Sequence, residues 1–264
     1  MILDTIAAAV ARRLTEDIRQ ISRDEMRQMA LDAPAAEGFP FEQALKRPGI
    51  SAICEVKRAS PSKGAIAEEF PYVDIAREYE QAGAAAISVL TERDYFQGSC
   101  RYLQEISSEV KTPLLRKDFI IDEYQVYEAR RSGASAILLI CALLDDEQLD
   151  KLFRRADSLG LSALVEAHDE DEVRRAVAVG ARIIGVNNRN LKDFSVSLDT
   201  SCRLRPLVPK DVLFVAESGI RCRADIDRLR EAGADAVLIG ETLMRSADKK
   251  AALAELTGER HGED

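Results

Sequence analysis

Charged side chains stand at the ends of several apolar runs in this sequence. In SAICEVK, which begins at residue 51, the alternation of an extended chain places Ile53, Glu55 and Lys57 on one face. Taking an ion out of water costs free energy even after relaxation, so an inward-facing glutamate–lysine pair requires partners, water or a ligand. The pair is therefore a candidate for a functional site.

The same alternation places polar residues late in other apolar runs. Lys117, Glu166, Asn187 and Glu217 each follow an inward-facing apolar residue, and Gly240 takes the equivalent position in the last run. A single polar residue at the end of a strand is ordinary, because the strand meets solvent there. Two lysines and three glutamates on one rim, however, would be an excessive local charge density unless a ligand used it.

Eight apolar runs predict eight strands. They start near residues 51, 84, 113, 135, 161, 182, 212 and 235, and five of them follow a glycine that ends a helical pattern: QAGAAAISVL, RSGASAILLI, SLGLSALVEA, AVGARIIGVN and EAGADAVLIG. Amphipathic patterns such as DEDEVRRAVAVG fill the intervals. Alternating strands and helices predict parallel strands, and eight such units predict an α/β fold of the (β/α)8 TIM-barrel type. A doubly wound open sheet is the main alternative.

The barrel would bring the charged residues together. Active sites of such barrels form at the carboxyl ends of the strands, above an interior packed with branched side chains. We therefore expect the polar residues that end the runs to share one mouth of the barrel.

The first 48 residues lie outside the repeated units. We predict helices near residues 2–14 and 16–33 and a turn at FEQALKR, which together form an N-terminal helical extension capping one end of the barrel. No linker rich in Pro, Gly or Ser divides the chain, so we expect residues 1–264 to form a single domain.

Composition argues against several classes of function. With a net charge of −9 and a pI near 5.0, the chain would repel nucleic acid. No run approaches the roughly 18 apolar residues of a membrane span. The five cysteines are scattered and odd in number, which favours the cytoplasm. The two histidines, His168 and His261, lack metal-ligand spacing, so we expect neither a metal site nor a histidine-dependent hydrolase.

Glycine-containing turns follow the last two predicted strands, in ESGI (217–220) and LIGETLM (238–244). We expect Gly219 and Gly240 to stand next to helix starts, where exposed backbone amides and the helix dipole can bind phosphate. Each glycine alone would equally serve a tight turn. Together in a barrel, they favour a phosphate site.

This sequence closely resembles the indole-3-glycerol phosphate synthase family in SAICEVKRASPSKG, LTERDYFQGS, PLLRKDFIIDEYQ, LVEAHDE, IIGVNNRNL, VAESGI and AVLIGETLMR, read in order. The resemblance covers nearly the whole chain, including ILDTI at the N-terminus. It implies a carboxy-lyase of tryptophan biosynthesis that uses no cofactor and acts on a phosphosugar, 1-(2-carboxyphenylamino)-1-deoxyribulose 5-phosphate. The products would be indole-3-glycerol phosphate, carbon dioxide and water. We expect the enzyme to be a monomer.

The resemblance also implies roles for individual residues. Lys117 matches the general acid that protonates the oxyanion formed on ring closure, and Glu166 matches the proposed general base. Lys57 would hold the substrate carboxylate or protonate the departing hydroxyl, with Glu55 orienting it. The other implied residues are Asn187 and Ser218 in the catalytic group; Ser60, Pro61, Phe96, Phe119, Leu138, Arg189, Leu191, Glu217 and Leu238 around the substrate; and Ser218, Gly219, Gly240 and Glu241 around the phosphate.

Glu241 departs from the family pattern, because some members have a serine there that could donate to phosphate. A carboxylate would repel the phosphate, so we expect the side chain of Glu241 to point away and its backbone amide to make the contact.

Two other functions are compatible with these residues. A different phosphosugar barrel, either an isomerase or an aldolase with Lys57 or Lys117 as a Schiff base, would use the same rim. A phosphosugar-binding module would keep the glycine pocket without turnover. The SPSKG segment after the first strand is equally compatible with a closing lid and with a plain surface loop.

Overall fold

The computed structural model describes residues 2–34, 38–61, 64–66, 69–191 and 193–258. Eight of its strands close into a barrel in which each strand runs parallel to both neighbours. The last strand pairs with the first, so the barrel sheet has no free edge. This closure confirms the (β/α)8 barrel and rules out the doubly wound open sheet.

The barrel strands begin close to the predicted positions. In chain order the strands are β1 Ser51–Val56, β2 Ala59–Ser60, β3 Gly64–Ala65, β4 Ala86–Leu90, β5 Leu114–Lys117, β6 Ala136–Ile140, β7 Ser162–Ala167, β8 Ile183–Asn187, β9 Leu213–Glu217 and β10 Ala236–Ile239. Strands β2 and β3 form a separate antiparallel ribbon after β1. Ser62 and Lys63 of the SPSKG segment lie outside the described residues, so its role as a lid or a loop stays a prediction.

Three helices precede the barrel: α1 Ile2–Gln20, α2 Arg23–Asp32 and α3 Pro40–Leu45. The predicted break near residue 15 is wrong, because the Thr15 hydroxyl donates to the Ala11 carbonyl (3.1 Å) inside a continuous α1. The break comes at Ser22, whose side chain accepts from the Glu25 backbone N–H in a capping box. Helix α3 takes the place of the turn predicted at FEQALKR.

The remaining helices surround the barrel. They are α4 Tyr72–Gln81, α5 Cys100–Ser107, α6 Glu123–Arg131, α7 Asp146–Ser158, α8 Glu170–Ala178, α9 Asp199–Leu204, α10 Arg223–Glu231, α11 Glu241–Met244 and α12 Lys249–Thr257. The glycines predicted to end helices have the positive φ that favours glycine at such positions: Gly83, Gly133, Gly160, Gly180 and Gly233. Within the described ranges, no helix is long and apolar enough to cross a bilayer.

The barrel interior is filled by the apolar members of the predicted inward-facing series. Ile53, Leu115 and Leu164 are fully buried there, and Ile183 and Val215 pack with them. The outward-facing residues of the strands form a second, larger cluster with the surrounding helices. The alternation read from the sequence is therefore the alternation of the folded barrel.

Helix α3 lies at the amino-terminal end of the barrel. Phe41 and Leu45 belong to the interior cluster. The buried carboxylate of Glu42 accepts from Ser162 Oγ (3.2 Å), at the start of β7, and from Arg182 Nε (2.9 Å), just before β8. This end of the barrel is thereby occupied, and the carboxyl ends of the strands form the opposite mouth.

Candidate active site

A cavity of about 750 Å³ opens at the carboxyl ends of the barrel strands. Small-molecule sites commonly have volumes of roughly 300–1,000 Å³, so its size suits a phosphosugar. All residues predicted for the site line it: Glu55, Lys57, Ser60, Pro61, Phe96, Lys117, Phe119, Leu138, Glu166, Asn187, Arg189, Leu191, Glu217, Ser218, Gly219, Leu238, Gly240 and Glu241. The role of each residue stays a prediction.

Lys117 is the central cation of the cavity. Its Nζ lies 3.4 Å from Glu166 Oε2 and 3.4 Å from Glu217 Oε2. The side chain of Lys117 is 15% exposed, whereas those of Glu166 and Glu217 are 3% and 2% exposed. Because the three charges are nearly withdrawn from water, solvent screens their interactions far less than at a surface.

The surroundings shift the pKa of each of these groups. Burial lowers the pKa of Lys117, but the attraction of Glu217 and Glu166 outweighs it and raises the pKa overall. Burial raises the pKa of Glu166, but Lys117, His168 and Asn187 outweigh it and lower the pKa overall. For Glu217, burial raises the pKa and Lys117 offsets only part of the effect. Two neighbouring carboxyl groups with pKa values shifted in opposite directions are typical of an acid–base site.

Glu55 and Lys57 form the ion pair predicted from strand alternation. Their side chains are 6% and 16% exposed, so the pair is largely buried at the cavity wall. Glu55 is the next-to-last residue of β1, and Lys57 directly follows the strand. The pair therefore supplies a second ammonium group to the same cavity as Lys117.

Two glycines leave room for buried charges. A Cβ on Gly240 would collide with Glu55 Oε1 and lie 2.9 Å from Lys57 Nζ. A Cβ on Gly185, in β8, would collide with Glu217 Oε1 and lie 3.0 Å from Leu164 Cδ1. Glycine at these strand positions is therefore required by the charged side chains that the neighbouring strands present.

Asn187 contacts Glu166 from β8. Its Oδ1 accepts from the Arg189 backbone N–H (3.0 Å), which leaves the amide N–H groups for donation. The side chain of Asn187 hydrogen-bonds to Glu166 and helps to lower the pKa of that carboxyl group. Asn187 thus fixes the orientation of Glu166 within the cavity.

Aromatic rings form an apolar wall beside the charges. The ring centroids of Phe96 and Phe119 are 6.0 Å apart, with the planes inclined by 40°. Leu138 and Leu238, from the barrel interior, lie on the cavity floor. Such a wall suits a planar aromatic group.

A buried carboxylate holds the loop that carries Phe96. Glu92 Oε2 accepts from the backbone N–H groups of Tyr95 (2.7 Å) and Phe96 (3.1 Å). Arg13 Nη2, from α1, donates to Glu92 Oε1 (2.6 Å). Arg13 also pairs with Asp94, and Asp17 of α1 pairs with Arg93, so several ion pairs link the N-terminal helix to the loop that carries Phe96.

Left-handed backbone marks the opposite end of the cavity. Ser218 and Gly219 have φ values of 68° and 87°. This conformation costs a non-glycine residue about 1–3 kcal/mol, so it requires support. The buried Asn188 supplies it, since its Nδ2 donates to the Ser218 carbonyl (3.2 Å) and its Oδ1 accepts from the Ser201 hydroxyl (2.8 Å).

The two predicted phosphate glycines differ in their relation to helices. Gly240 is the N-cap of α11, as predicted. Gly219 does not stand next to a helix start, because α10 begins only at Arg223. Glu241 Oε1 lies 3.1 Å from Arg245 Nε one turn along α11, and this ion pair offsets its negative charge.

Several further residues line the cavity that the sequence alone did not single out. Leu90 and Ile140 continue the inward-facing alternation of β4 and β6, which could have identified them. Ile239 ends β10 with the outward-facing parity, and the others lie in loops or in and just after the short helix α11, where the alternation gives no signal. These further residues are Asp118, Phe194, Val196, Ile220, Arg221, Ile239, Thr242 and Arg245.

The fold and the cavity define a class of protein. A closed (β/α)8 barrel with coupled lysines and carboxylates at the carboxyl ends of its strands is the architecture of a TIM-barrel enzyme. The family model for indole-3-glycerol phosphate synthase matches residues 3–256. This chain belongs to that family.

Curated relatives match the chain over nearly its full length. It is 55% identical to the indole-3-glycerol phosphate synthase of Ruminiclostridium cellulolyticum, over 98% of this chain and 99% of the relative. It is 50% identical to that of Leuconostoc mesenteroides subsp. mesenteroides, over 98% of this chain and 100% of the relative.

Solved structures share the fold at low sequence identity. The 3-hexulose-6-phosphate synthase from Salmonella typhimurium has a TM-score of 0.65 at 13% identity, over 79% of this chain and 97% of that chain. The thiamine phosphate pyrophosphorylase from Pyrococcus furiosus has a TM-score of 0.59 at 19% identity, over 78% of this chain and 93% of that chain. These likenesses show the barrel fold alone.

Proposed function

We propose that this chain converts 1-(2-carboxyphenylamino)-1-deoxyribulose 5-phosphate to indole-3-glycerol phosphate, with loss of carbon dioxide and water, in tryptophan biosynthesis. The family to which the chain belongs supports the reaction. The observation that carries the proposal is the Lys117 ammonium group between the buried carboxylates of Glu166 and Glu217, within a cavity that also contains Lys57.

The substrate would span the cavity from its aromatic wall to its left-handed turn. The carboxyphenyl ring packs against Phe96 and Phe119, whose neighbouring rings offer it an apolar surface. The phosphate lies at Ser218, Gly219 and Gly240, which line this end of the cavity. This orientation places the ketone carbon between the two ends, near Lys117.

Lys117 acts as the general acid in ring closure. When the arene carbon attacks the ketone, negative charge develops on the ketone oxygen, and an adjacent ammonium group stabilises and then protonates it. The raised pKa of Lys117 keeps the group protonated before the reaction. The oxyanion is a far stronger base than the amine, so the proton transfer remains downhill.

Lys57 and Glu166 act in the later steps. Lys57 neutralises the substrate carboxylate or protonates the hydroxyl that leaves as water, with Glu55 fixing its position. Glu166 takes the proton that the new ring loses. Its lowered pKa keeps it ionised, and a weak base suffices because removal of this proton completes an aromatic ring.

The proton balance follows from these roles. A lysine protonates the ketone oxygen, a lysine protonates the departing hydroxyl, and Glu166 removes one proton from the ring. Glu166 returns its proton to Lys117, which lies 3.4 Å away. With the substrate carboxylate ionised, each turnover consumes one proton from solvent as the carboxylate leaves as carbon dioxide.

An aldolase mechanism is less well supported by the same site. A Schiff base requires a neutral amine, and the carboxylates around Lys117 favour its charged form. An isomerase or a binding module would not need two ammonium groups in one cavity.

We also propose that the chain is a single-domain monomer capped by its N-terminal helices and acts in the cytoplasm. Contacts of α3 with the interior cluster support the capping. All five cysteines lie in the described ranges and are unpaired, which suits a reducing compartment.

One assay tests the proposed reaction. The purified chain is mixed with the carboxyphenylamino substrate while indole fluorescence and released carbon dioxide are measured, and borohydride is added to a parallel sample. We expect stoichiometric indole product and carbon dioxide without a covalent adduct. Substrate binding without product would indicate a binding module, and a borohydride-trapped lysine adduct would indicate an aldolase.

A further inference from the structure

His168 bridges two carboxylates behind the cavity. It directly follows β7, and its Nε2 lies 3.3 Å from Glu166 Oε1. Its Nδ1 lies 3.0 Å from Glu172 Oε2, on the first turn of α8, and its backbone N–H donates to the same oxygen (2.8 Å). The imidazole is therefore fixed at one edge by Glu172 and presents the other edge to Glu166.

The bridge reaches Glu166 from the side opposite the proposed chemistry. His168 is not among the described residues that line the cavity, whereas Glu166 lines it and directs Oε2 toward Lys117. The Nε2 atom of His168 is buried and makes no well-aligned hydrogen bond with the described residues. It lies 3.3 Å from Glu166 Oε1, within ion-pair distance.

We propose that His168 is a positioning residue for Glu166: anchored by Glu172, its ring holds one oxygen of the Glu166 carboxylate so that the other oxygen faces Lys117 and the substrate. This inference rests on the proposed function, because it assigns His168 a part in the action of the proposed base.

The charges on both sides of His168 support this role. Burial lowers the pKa of His168, but Glu166 and Glu172 outweigh it and raise the pKa to about 10. The ring is therefore an imidazolium at neutral pH. In turn, His168 contributes to the lowered pKa of Glu166.

Other charged and titratable groups surround the bridge. From β5 and β9, Lys117 and Glu217 face Glu166 across the cavity. From the α8 side, Arg175 and Asp146 are ion-paired near Glu172. The Cys141 thiol donates to the Glu172 carbonyl, and burial raises its pKa to about 12, so it stays neutral over the range of interest.

A direct titration tests whether His168 carries the charge. The sequence has two histidines, so a His261→Gln variant leaves His168 as the only imidazole. Ring nitrogen and carbon shifts are followed by NMR between about pH 6 and pH 11, spanning the ordinary imidazole pKa and the raised one. We expect the ring of His168 to remain protonated to above about pH 8, whereas titration near the ordinary value of about 6.5 would overturn the proposal.

A paired comparison tests whether the charge positions Glu166. Glu172→Gln removes the carboxylate that anchors the ring but keeps an acceptor for Nδ1, and Asp171→Asn is its control. Asp171 carries the same charge on the same helical turn, with a side chain that is 87% exposed. We expect Glu172→Gln to lower the midpoint of the His168 titration by about 1–3 pH units. The alkaline limb of the profile of kcat against pH should move to lower pH by the same amount.

The outcomes separate positioning from a merely structural role. We expect Asp171→Asn to follow the unaltered chain at every pH. We expect His168→Gln, whose amide can donate to Glu166 without a charge, to lower kcat by about 10- to 100-fold with little change in KM. A shifted NMR titration with an unshifted kcat profile would overturn the proposal. If the unaltered chain makes no indole product, the proposed function fails instead, and the NMR titration still reports the bridge.

Discussion

Lys117 is the residue on which the proposed chemistry depends most. Its Nζ lies at the same distance, 3.4 Å, from a carboxylate of β7 and a carboxylate of β9. Without the lysine, the two buried carboxylates would repel each other, so its charge stabilises the site. In return, the two carboxylates keep the lysine protonated. The proposed general acid is thereby held in its charged form by the neighbouring carboxylates.

Replacing Lys117 tests its role as the acid. We expect Lys117→Ala to lower kcat by at least about 100-fold, because that is typical of losing a general acid, while the substrate still binds through its ring and phosphate. Steady-state kinetics and equilibrium binding of the product measure the two effects. Lys151→Ala, which removes a 64% exposed lysine, is the control and should keep full activity. Near-normal turnover of Lys117→Ala would refute the assignment.

Replacing Glu166 tests its role as the base. We expect Glu166→Gln to reduce kcat by about 100-fold or more, since the amide keeps the shape of the side chain but cannot take a proton. Glu170→Gln, on the exposed start of α8, provides the control for loss of one negative charge nearby. A changed KM with an unchanged kcat would count against Glu166 as the base.

Helix α1 is linked to the loop after β4 by ion pairs of Arg13 with Glu92 and Asp94 and of Asp17 with Arg93. Arg13 contacts Glu92, which accepts from the backbone of the loop that carries Phe96. The N-terminal extension therefore does more than cover the barrel, because it helps to set the position of one aromatic wall. The connection runs from α1 to the loop after β4 without touching the lysines.

Weakening this connection should affect substrate binding more than chemistry. We expect Arg13→Gln to raise KM by roughly three- to tenfold with a smaller change in kcat, because Phe96 would be less well fixed while the charged groups stay in place. Arg12→Gln is the matched control, since Arg12 is the exposed neighbour on the same helix. Equal KM values for the two variants would show that Arg13 does not position the wall.

The elements could be predicted from sequence where they repeat, and less well where they do not. The barrel strands and the glycines that end the helices follow from a pattern that recurs along the chain, as at Gly133 and Gly233. The N-terminal helices have no such repeat, and the break predicted between residues 14 and 16 falls inside the continuous helix α1. The loop after β8, which folds back so that Arg189 pairs with Val196, has no periodic signal either.

The sequence predicted the charged residues of the candidate site, but not the residues that hold the site in place. Glu55 and Lys117 both have the inward-facing parity of their strands. Alternate residues of a strand lie on the same face of the folded sheet, so this parity could be read from the sequence. Asn188 has the opposite parity to Asn187, so alternation gives no reason to connect it with Ser218. The contact between Arg13 and Glu92 joins residues 79 positions apart, which local patterns cannot reveal.

The whole molecule is acidic, yet its substrate is an anion. A net charge of −9 would repel a phosphosugar unless cations were gathered locally. The barrel gathers Lys57, Lys117 and Arg189 at one mouth, while α3 occupies the other end. The cavity is lined by equal numbers of basic and acidic side chains, so it is far less acidic than the molecule as a whole.

The buried charge cluster should also make the free energy of unfolding of the whole chain depend on pH. Because burial raises the pKa of Glu217 from the ordinary 4.5, the native state holds this proton more tightly than the unfolded chain does. The resulting stabilisation is present below the ordinary carboxyl pKa and is lost as the pH rises through the native pKa. Glu217→Gln is neutral at every pH and lacks this dependence.

Urea unfolding of both chains measures this effect. We expect the free energy of unfolding of the unaltered chain, relative to that of Glu217→Gln, to fall between about pH 5 and about pH 8. Using the difference between the two chains removes the contributions of titrating groups that do not interact with Glu217. A difference that stays constant or rises with pH would contradict the raised pKa.

The central claim is that the charged residues, the aromatic wall and the phosphate turn act on one bound substrate. A crystal structure of the chain with indole-3-glycerol phosphate tests it most directly. The account predicts the indole ring against Phe96 and Phe119, the phosphate at Ser218 and Gly219, and Lys117 Nζ within about 4 Å of indole carbon 3, where the departed oxygen was attached. Product bound in this cavity with Lys117 directed away from that carbon, or product bound elsewhere on the barrel, would contradict it.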